Sequence, residues 1–240
     1  MPKIEKFSFD TIVDFDKHID SSIQNYSGLI EHINNISTYF IQKNSTILDI
    51  GCSTGSLLIQ NRIKHTDQSI KFLGFDISEN LLVQGREIIK QADLQNISLE
   101  NIDIVQYSNN ETSINDFNSF VDDEINLVTS IFTLQFLPIE SRQKIVDRIY
   151  NSLNKGGAFI VAEKIYNENG LTQDILNFAH YDFKRKTFSS EEILSKQIDL
   201  RTIMKPLTDK QNIEMFEYAG FENISTFWQS LSFKCYLLIK

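Results

Sequence analysis

The sequence predicts an α/β protein: a doubly wound, mostly parallel sheet of seven strands, with N-terminal helices and a helical lid insertion after the fifth strand. Three observations predict it. An apolar run (Ile47, Leu48, Ile50) stops at a turn of small residues before a helix pattern starts at Ser56. Apolar strands then alternate with segments of helical period as far as Glu163, the signature of parallel strands joined by crossovers. The chain closes on two adjacent strand-like stretches, about 223–229 and 231–239, so the count is seven rather than the six of a dinucleotide fold. On this reading residues 1–43 form an N-terminal helical segment and 44–165 a ligand-binding core. Residues 166–206 form the lid, and 207–240 a helix and strand pair that complete the core.

Each element has its own warrant. Ile12, Ile19, Ile23, Tyr26, Ile30, Ile33 and Tyr39 recur near a period of 3.6, so residues about 9–40 are expected to be helical, an amphipathic helix pair packed on the domain. Tyr26 or Gln24 on that face is placed to line a ligand site. The first strand is expected at about 45–50, followed by Gly51-Cys52-Ser53-Thr54-Gly55 and a helix to about 64. Glycines there let backbone approach a ligand or take φ > 0, and the helix start presents unpaired N–H groups. A P-loop needs Lys-Ser/Thr at the end of such a turn, where this chain has Ser56-Leu57; the dinucleotide fingerprint needs a third glycine.

A second strand, 70–76, ends at Asp76, roughly 20 residues on, where doubly wound folds place an acid for ribose hydroxyls. Ser78 is a candidate N-cap for the helix that follows. The third strand is expected at Ile102–Val105, with a polar stretch from Ser108 to Thr112, and the fourth at 124–132. A helix from Ile139 to Leu153 is expected to end on a glycine C-cap at Gly156-Gly157, before a fifth strand at 158–163. The lid region is polar and helical, with His180-Tyr181-Asp182-Phe183-Lys184-Arg185 and then Lys196 and Arg201. A last helix, Asn212 to Tyr218, precedes the final strand pair; the last strand, 233–239, is apolar enough to be internal.

Composition excludes several classes. There are 32 acidic and 23 basic residues, a formal net charge of -9, which opposes direct nucleic-acid or anionic-membrane binding. Cys52 and Cys235 are far apart and have no metal-ligand spacing, so no metal is expected, and a reducing, cytoplasmic setting fits. The first residues lack an apolar signal core, and no run approaches a membrane span.

The Asp49-x-Gly51-x-x-x-Gly55 turn resembles that of class I S-adenosylmethionine (SAM) methyltransferases, which have a Rossmann-like fold. More specific are Phe132-Thr133-Leu134-Gln135-Phe136-Leu137, Gly156-Gly157 with Glu163-Lys164, and Asp182-Phe183-Lys184-Arg185 with Phe188-Ser189. With Ala219-Gly220-Phe221 and Trp228-Gln229, these resemble the carboxy-SAM synthase family over nearly the whole chain. That resemblance implies the methyltransferase fold, SAM or carboxy-SAM as cofactor, and a homodimer. It also implies transfer of carbon dioxide from prephenate to the methyl of SAM, in the service of tRNA wobble-uridine modification.

Carried over by position, the resemblance places Tyr26 against the ligand and Asp49, Gly51, Cys52, Ser53 and Gly55 around the methionyl half. Asp76 falls at the ribose with Ile77 beside it, and Phe132, Thr133 and Gln135 lie beside the transferring carbon. Three positions depart from the family. Ser108 stands for an acid that holds the adenine amine, and Ile131 for an asparagine. Gln197 stands for the arginine that pairs with the extra carboxylate of the family's product. In a dry pocket the amide forfeits roughly 1.5–3 kcal/mol against the charge-assisted pair. Arg201, four residues on, faces the same side of a helix.

Three functions stay open on the sequence. The first is SAM-dependent methylation of a small-molecule acceptor, with His180 as candidate base and Tyr181 and Glu163 as weaker ones. The second is carboxy-SAM synthesis. The third is a non-catalytic SAM-binding module. The catalytic candidates are thus His180, Tyr181, Gln197 and Arg201.

Overall fold

The computed structural model describes residues 15–109, 117 and 125–240. The helical expectation for residues 9–14, the polar stretch at 110–112 and Glu124 lie outside the described residues. The described chain opens on α1 (Phe15–Ser22) and α2 (Tyr26–Ser37). The expected helix pair divides at Asn25, which takes φ 62, a left-handed conformation that asparagine tolerates. α2 packs down through Leu29 and Ile33, four residues apart and fully buried.

β1 (Thr46–Ile50) is buried along its whole length because it has a strand on each side and a helical layer on each face. α3 (Ser56–Lys64), β2 (Lys71–Asp76) and α4 (Glu79–Gln91) follow as expected. The Ser78 hydroxyl caps α4, accepting from the Leu81 amide at 3.4 Å.

The third strand is not where the apolar run Ile102–Val105 suggested. β3 is Ile97–Asn101, paired in register with β2 from Phe72↔Ile97 to Asp76↔Asn101. As an edge strand it is only half-buried and alternates, so it lacks the continuous apolar run of its neighbours. Residues Ile104–Asn109 form α5, started by Asp103, whose carboxylate accepts from the Val105 and Gln106 amides at 2.9 and 3.1 Å.

β4 (Ile125–Ile131) leads through a 3-10 turn (Leu134–Phe136) into α6 (Ile139–Ser152) and β5 (Leu153–Tyr166). The glycine C-cap expected for α6 is corrected. The helix ends on an extended Leu153, and Gly156, at φ 81, bends the start of β5 while its amide donates to the Lys240 carbonyl at 2.8 Å. The insertion after β5 is a helix pair, α7 (Gly170–Lys184) and α8 (Ser190–Ile203); Ser189 and Glu192 form a capping box for α8. A two-residue strand, β6 (Leu207–Thr208), returns the chain to the end of β5. α9 (Asp209–Ala219) ends at Gly220, φ 114, ahead of β7 (Asn223–Ser230) and β8 (Phe233–Ile239).

The main sheet runs β3-β2-β1-β4-β5-β8-β7, with β6 off this path. β1 to β5 are parallel, and β8 lies antiparallel between β5 and β7, internal as its apolarity demanded. Side chains alternate between two cores. Phe72, Leu127, Ile160 and Ala162 meet α2, α3 and α4, whereas Leu73, Val128, Phe159 and Val161 meet α6 and α9. The strand order reverses between β1 and β4, so the carboxyl ends of these strands open a crevice there.

Candidate active site

The crevice is built from three strand ends. After β1, Gly51 takes φ 77, and a side chain there would run into Thr133 after β4. Ser53 and Gly55 also have positive φ, 54 and 71, so the turn is tightly wound. Its amides have specific partners: Gly51 and Cys52 donate to the Phe75 carbonyl at 2.7 and 3.0 Å, and Ser53 donates to Asp76 Oδ2 at 2.8 Å. Asp76 Oδ1 accepts from the Ser78 amide at 2.9 Å. Two backbone amides thereby orient the carboxylate. Ile77, beside it, is 71% exposed.

Asp49 lies behind the turn, buried, and accepts from Thr129 Oγ1 at 2.6 Å. Burial pushes its carboxyl up to about 7, helped by the charge of Asp76 and opposed by the Thr129 hydroxyl. Cys52 is buried, and burial raises its thiol far above the usual range, so it packs rather than reacts.

Phe132, just past β4, is a buried aromatic residue at φ 57. That conformation is sterically costly for a residue with a bulky Cβ, and it is held by the Phe132 amide donating to Ala162 at 2.7 Å. Its ring joins an aromatic row: Tyr26 at 6.3 Å, Phe233 at 5.6 Å, and His180 a further 5.3 Å from Phe233. α2, the end of β4, the start of β8 and α7 thus meet at one place. Ile131 is the last residue of β4, partly buried against the α2–α4 core.

Gln135 is buried. Its Oε1 accepts from the Lys164 amide at 2.8 Å, and its carbonyl accepts from Arg142 and Lys205 at 3.1 and 2.7 Å. Glu163, buried, accepts from the Leu134 and Gln135 amides at 2.9 and 2.8 Å. Burial lifts Glu163 to about 8 against those hydrogen bonds and the Arg142 charge. The Phe-Thr-Leu-Gln segment and the Glu-Lys pair, two separate sequence signals, are therefore one fastening that holds the loop after β4. Ser108 belongs elsewhere. Its hydroxyl donates to Ile104 within α5 and its carbonyl accepts from Arg148, so it is buried against α6. The acid that follows the third strand is Asp103.

His180, on α7, sits in the aromatic row with a buried Nδ1 that has no partner among the described residues. Burial, then Lys164 and Lys184, push it down to about 3, so its ring is neutral at pH 7 and a weak proton acceptor. Tyr181 and Gln197 come together with Arg185, Ile193 and Leu194 around a shallow pocket between α7 and α8. Arg201, one turn beyond Gln197, is exposed. Sequence reasoning also missed that Lys184 stands close enough to Lys164 and Lys196 to add to the effect of burial in lowering their amines. Their signal was present in the segments Glu163-Lys164 and Asp182-Phe183-Lys184, but not their proximity.

A family profile described as a methyltransferase domain matches residues 41–220. An O-methyltransferase family protein from Burkholderia thailandensis superposes with a TM-score of 0.60 over 94% of this chain and 59% of its own, at 11% identity. The strand order, the glycine turn and this match define the class: the chain is a class I SAM-dependent transferase of the methyltransferase-domain family. Two relatives narrow it. Carboxy-S-adenosyl-L-methionine synthase of Staphylococcus epidermidis is 32% identical over 97% of this chain and 95% of its own length. The protein of that name from Shewanella oneidensis is 30% identical over 99% and 94%. The chain belongs to the carboxy-SAM synthase family.

The crevice fits the cofactor of that family. Gly51 lets Thr133 pack directly against the turn where a Cβ would clash, and the Ser53 hydroxyl is buried with no partner among the described residues. Asp76 presents an oriented carboxylate next to an exposed apolar Ile77. Among the described residues no group of His, Cys, Asp and Glu is gathered for a metal ion. Among them, too, no helix is long and apolar enough to cross a membrane.

Proposed function

We propose that the chain is a carboxy-SAM synthase, which binds SAM at the strand ends and moves carbon dioxide from prephenate onto its methyl carbon. The observation that carries this reading is the likeness to the S. epidermidis synthase over 97% of the chain. It includes the N-terminal helices and the α7–α8 insertion as well as the shared core.

When bound, SAM supplies a methyl group made reactive by its sulfonium. Gly51, Cys52 and Ser53 would hold the methionyl half by close backbone approach, with Asp49 and Gly55 shaping the turn. Asp76 would accept the ribose hydroxyls, and Ile77 would cover one face of the purine. Asp103 and Ile131 lie at the neighbouring strand ends, and Asp103 replaces Ser108 as the acid on the adenine side. Tyr26 and Phe132 would wall the transferring carbon and exclude water. Gln135 acts by fixing the loop that carries Phe132. His180 and Tyr181 orient the second substrate beneath residues 166–206, which form the lid over the core of 44–165.

Gln197 favours a second reading, methylation of a small-molecule acceptor, because an amide gives a carboxylate product no ionic partner. Arg201, at an exposed position on the same helix face, is the residue that would have to replace it. Mass spectrometry separates the readings. Incubation with SAM and prephenate should yield a nucleoside heavier than SAM by carbon dioxide. Conversion of SAM to S-adenosylhomocysteine with a small acceptor, and no heavier product, would favour methylation. Absence of heat on titration with millimolar SAM would leave only a binding role for another ligand.

Assembly has its own support. Leu171, Ile175 and Phe178 form one stripe along α7, and Leu194 and Ile198 another on α8, each more than half exposed. The proposed homodimer covers these stripes. The acidic balance suits a cytoplasmic enzyme of small molecules that does not itself bind nucleic acid.

A further inference from the structure

Lys164 near the end of β5 and Lys184 in the last turn of α7 approach each other through His180, which is one turn before Lys184 and beside the Phe233 ring under Lys164; the charge of Lys184 is also felt by Lys196 in the middle of α8. Lys164 and Lys184 are only 7% and 9% exposed. Each is set against an aromatic ring that also carries a histidine. The Lys164 ammonium is 5.9 Å from the centre of Phe233, with His180 5.3 Å from that ring. The Lys184 ammonium is 5.6 Å from the centre of Phe188, with His18 5.8 Å from it.

Burial pushes all three amines below their ordinary value, Lys164 and Lys196 to about 8, and Lys184 adds repulsion to both. Among the described residues no ion pair involves Lys164 or Lys184. Glu163, the nearest carboxylate in sequence, lies on the opposite face of β5 and is engaged by the Leu134 and Gln135 amides. Buried cations are ordinarily paired, since an unpaired one forfeits its hydration without return. Here two are left without a carboxylate, beside the aromatic row that borders the SAM crevice.

We infer that Lys164 and Lys184 form a binding site for a small dicarboxylate with an apolar body, the second substrate of the enzyme. Two lysines on two separate rings call for two carboxylates rather than one. The rings of Phe233 and Phe188 suit a ligand with an apolar body. The neutral His180, with Nδ1 unpartnered, offers a hydrogen bond to a hydroxyl or carbonyl on the same ligand. The inference rests on the reading that a second substrate lies under the lid, but it concerns the anion and not the fate of the methyl group. It assigns to the lysines the anion recognition that Gln197 cannot supply.

The test is calorimetric titration of the full chain with prephenate, malonate and inorganic phosphate, with and without SAM, repeated on Lys184→Met and Lys164→Met. Prephenate is expected to bind, malonate more weakly, and each substitution to weaken prephenate at least ~10-fold while SAM affinity stays within about twofold. Ligand-free Lys184→Met should melt at a higher temperature than the parent, since it removes a buried charge, and prephenate should no longer raise that temperature. Lack of prephenate binding by the parent, unchanged binding in both variants, or phosphate binding as tight as prephenate would each overturn the inference. Lysine-dependent prephenate binding without a heavier product would instead uphold the anion site and overturn carboxy-SAM synthesis.

Discussion

Gly51 and His180 show how single residues commit this site. At Gly51 both the φ of 77 and the proximity of Thr133 forbid a side chain. Gly51→Ala should cost roughly 1–3 kcal/mol of stability and weaken SAM at least ~10-fold, read by urea unfolding and titration calorimetry. Asp76→Asn should leave the turn formed, because an amide oxygen still accepts from Ser53, yet lose ~10-fold or more in SAM affinity through the weaker bond to ribose. His180 carries a pH signature. Its folded value of about 3 lies below the unfolded 6.5, so the folded state binds fewer protons between them. Stability is therefore full above pH 6.5 and falls as pH drops toward 3, by about 2 kcal/mol between pH 7 and 5 from this residue. In urea unfolding, His180→Phe should therefore gain about 2 kcal/mol on the parent on going from pH 7 to pH 5. His18, lowered mainly by burial as well, contributes a slope of the same sign, and the raised carboxyls of Asp49 and Glu163 contribute the opposite one, so the comparison is between variant and parent.

At the scale of elements, the loop after β4 is fixed from behind by β5. Glu163 is the part most exposed to testing. Glu163→Ala leaves two buried amides without acceptors and should cost about 2–3 kcal/mol, while Glu163→Gln, which keeps an acceptor, should cost under about 1.5 kcal/mol. Loss of SAM binding out of proportion to stability in the alanine variant would show that the fastening also positions Phe132. The same scale explains where sequence reasoning slipped. β1, β2, β4 and β5 were legible because strands buried on both faces read as apolar runs. β3, at the sheet edge, alternates instead, and the apolar Ile102–Val105 beside it belongs partly to a helix started by Asp103. The displaced strand carried Ser108 into the site by position, although its hydroxyl is spent inside α5.

For the whole molecule, the unpartnered stripes on α7 and α8 predict association. Replacing Ile175 and Phe178 by serine should turn a dimer into a monomer in sedimentation experiments, with little loss of fold, since both are exposed in the single chain. A parent chain that sediments as a monomer would remove the dimer reading. The sequence by itself determined the sheet, the glycine turn and the acid at Asp76, because these depend on local periodicity, backbone freedom and a fixed spacing along the chain. It also carried the motifs that mark the family. Only the tertiary structure decided what meets across those elements. Glu163 fastens Gln135, an aromatic row runs from Tyr26 to His180, and Lys164 and Lys184 are buried with no ion pair among the described residues. The physical reason is separation: these partners lie tens of residues apart, and burial, which sets their chemistry, is a property of the packed chain rather than of any stretch of it.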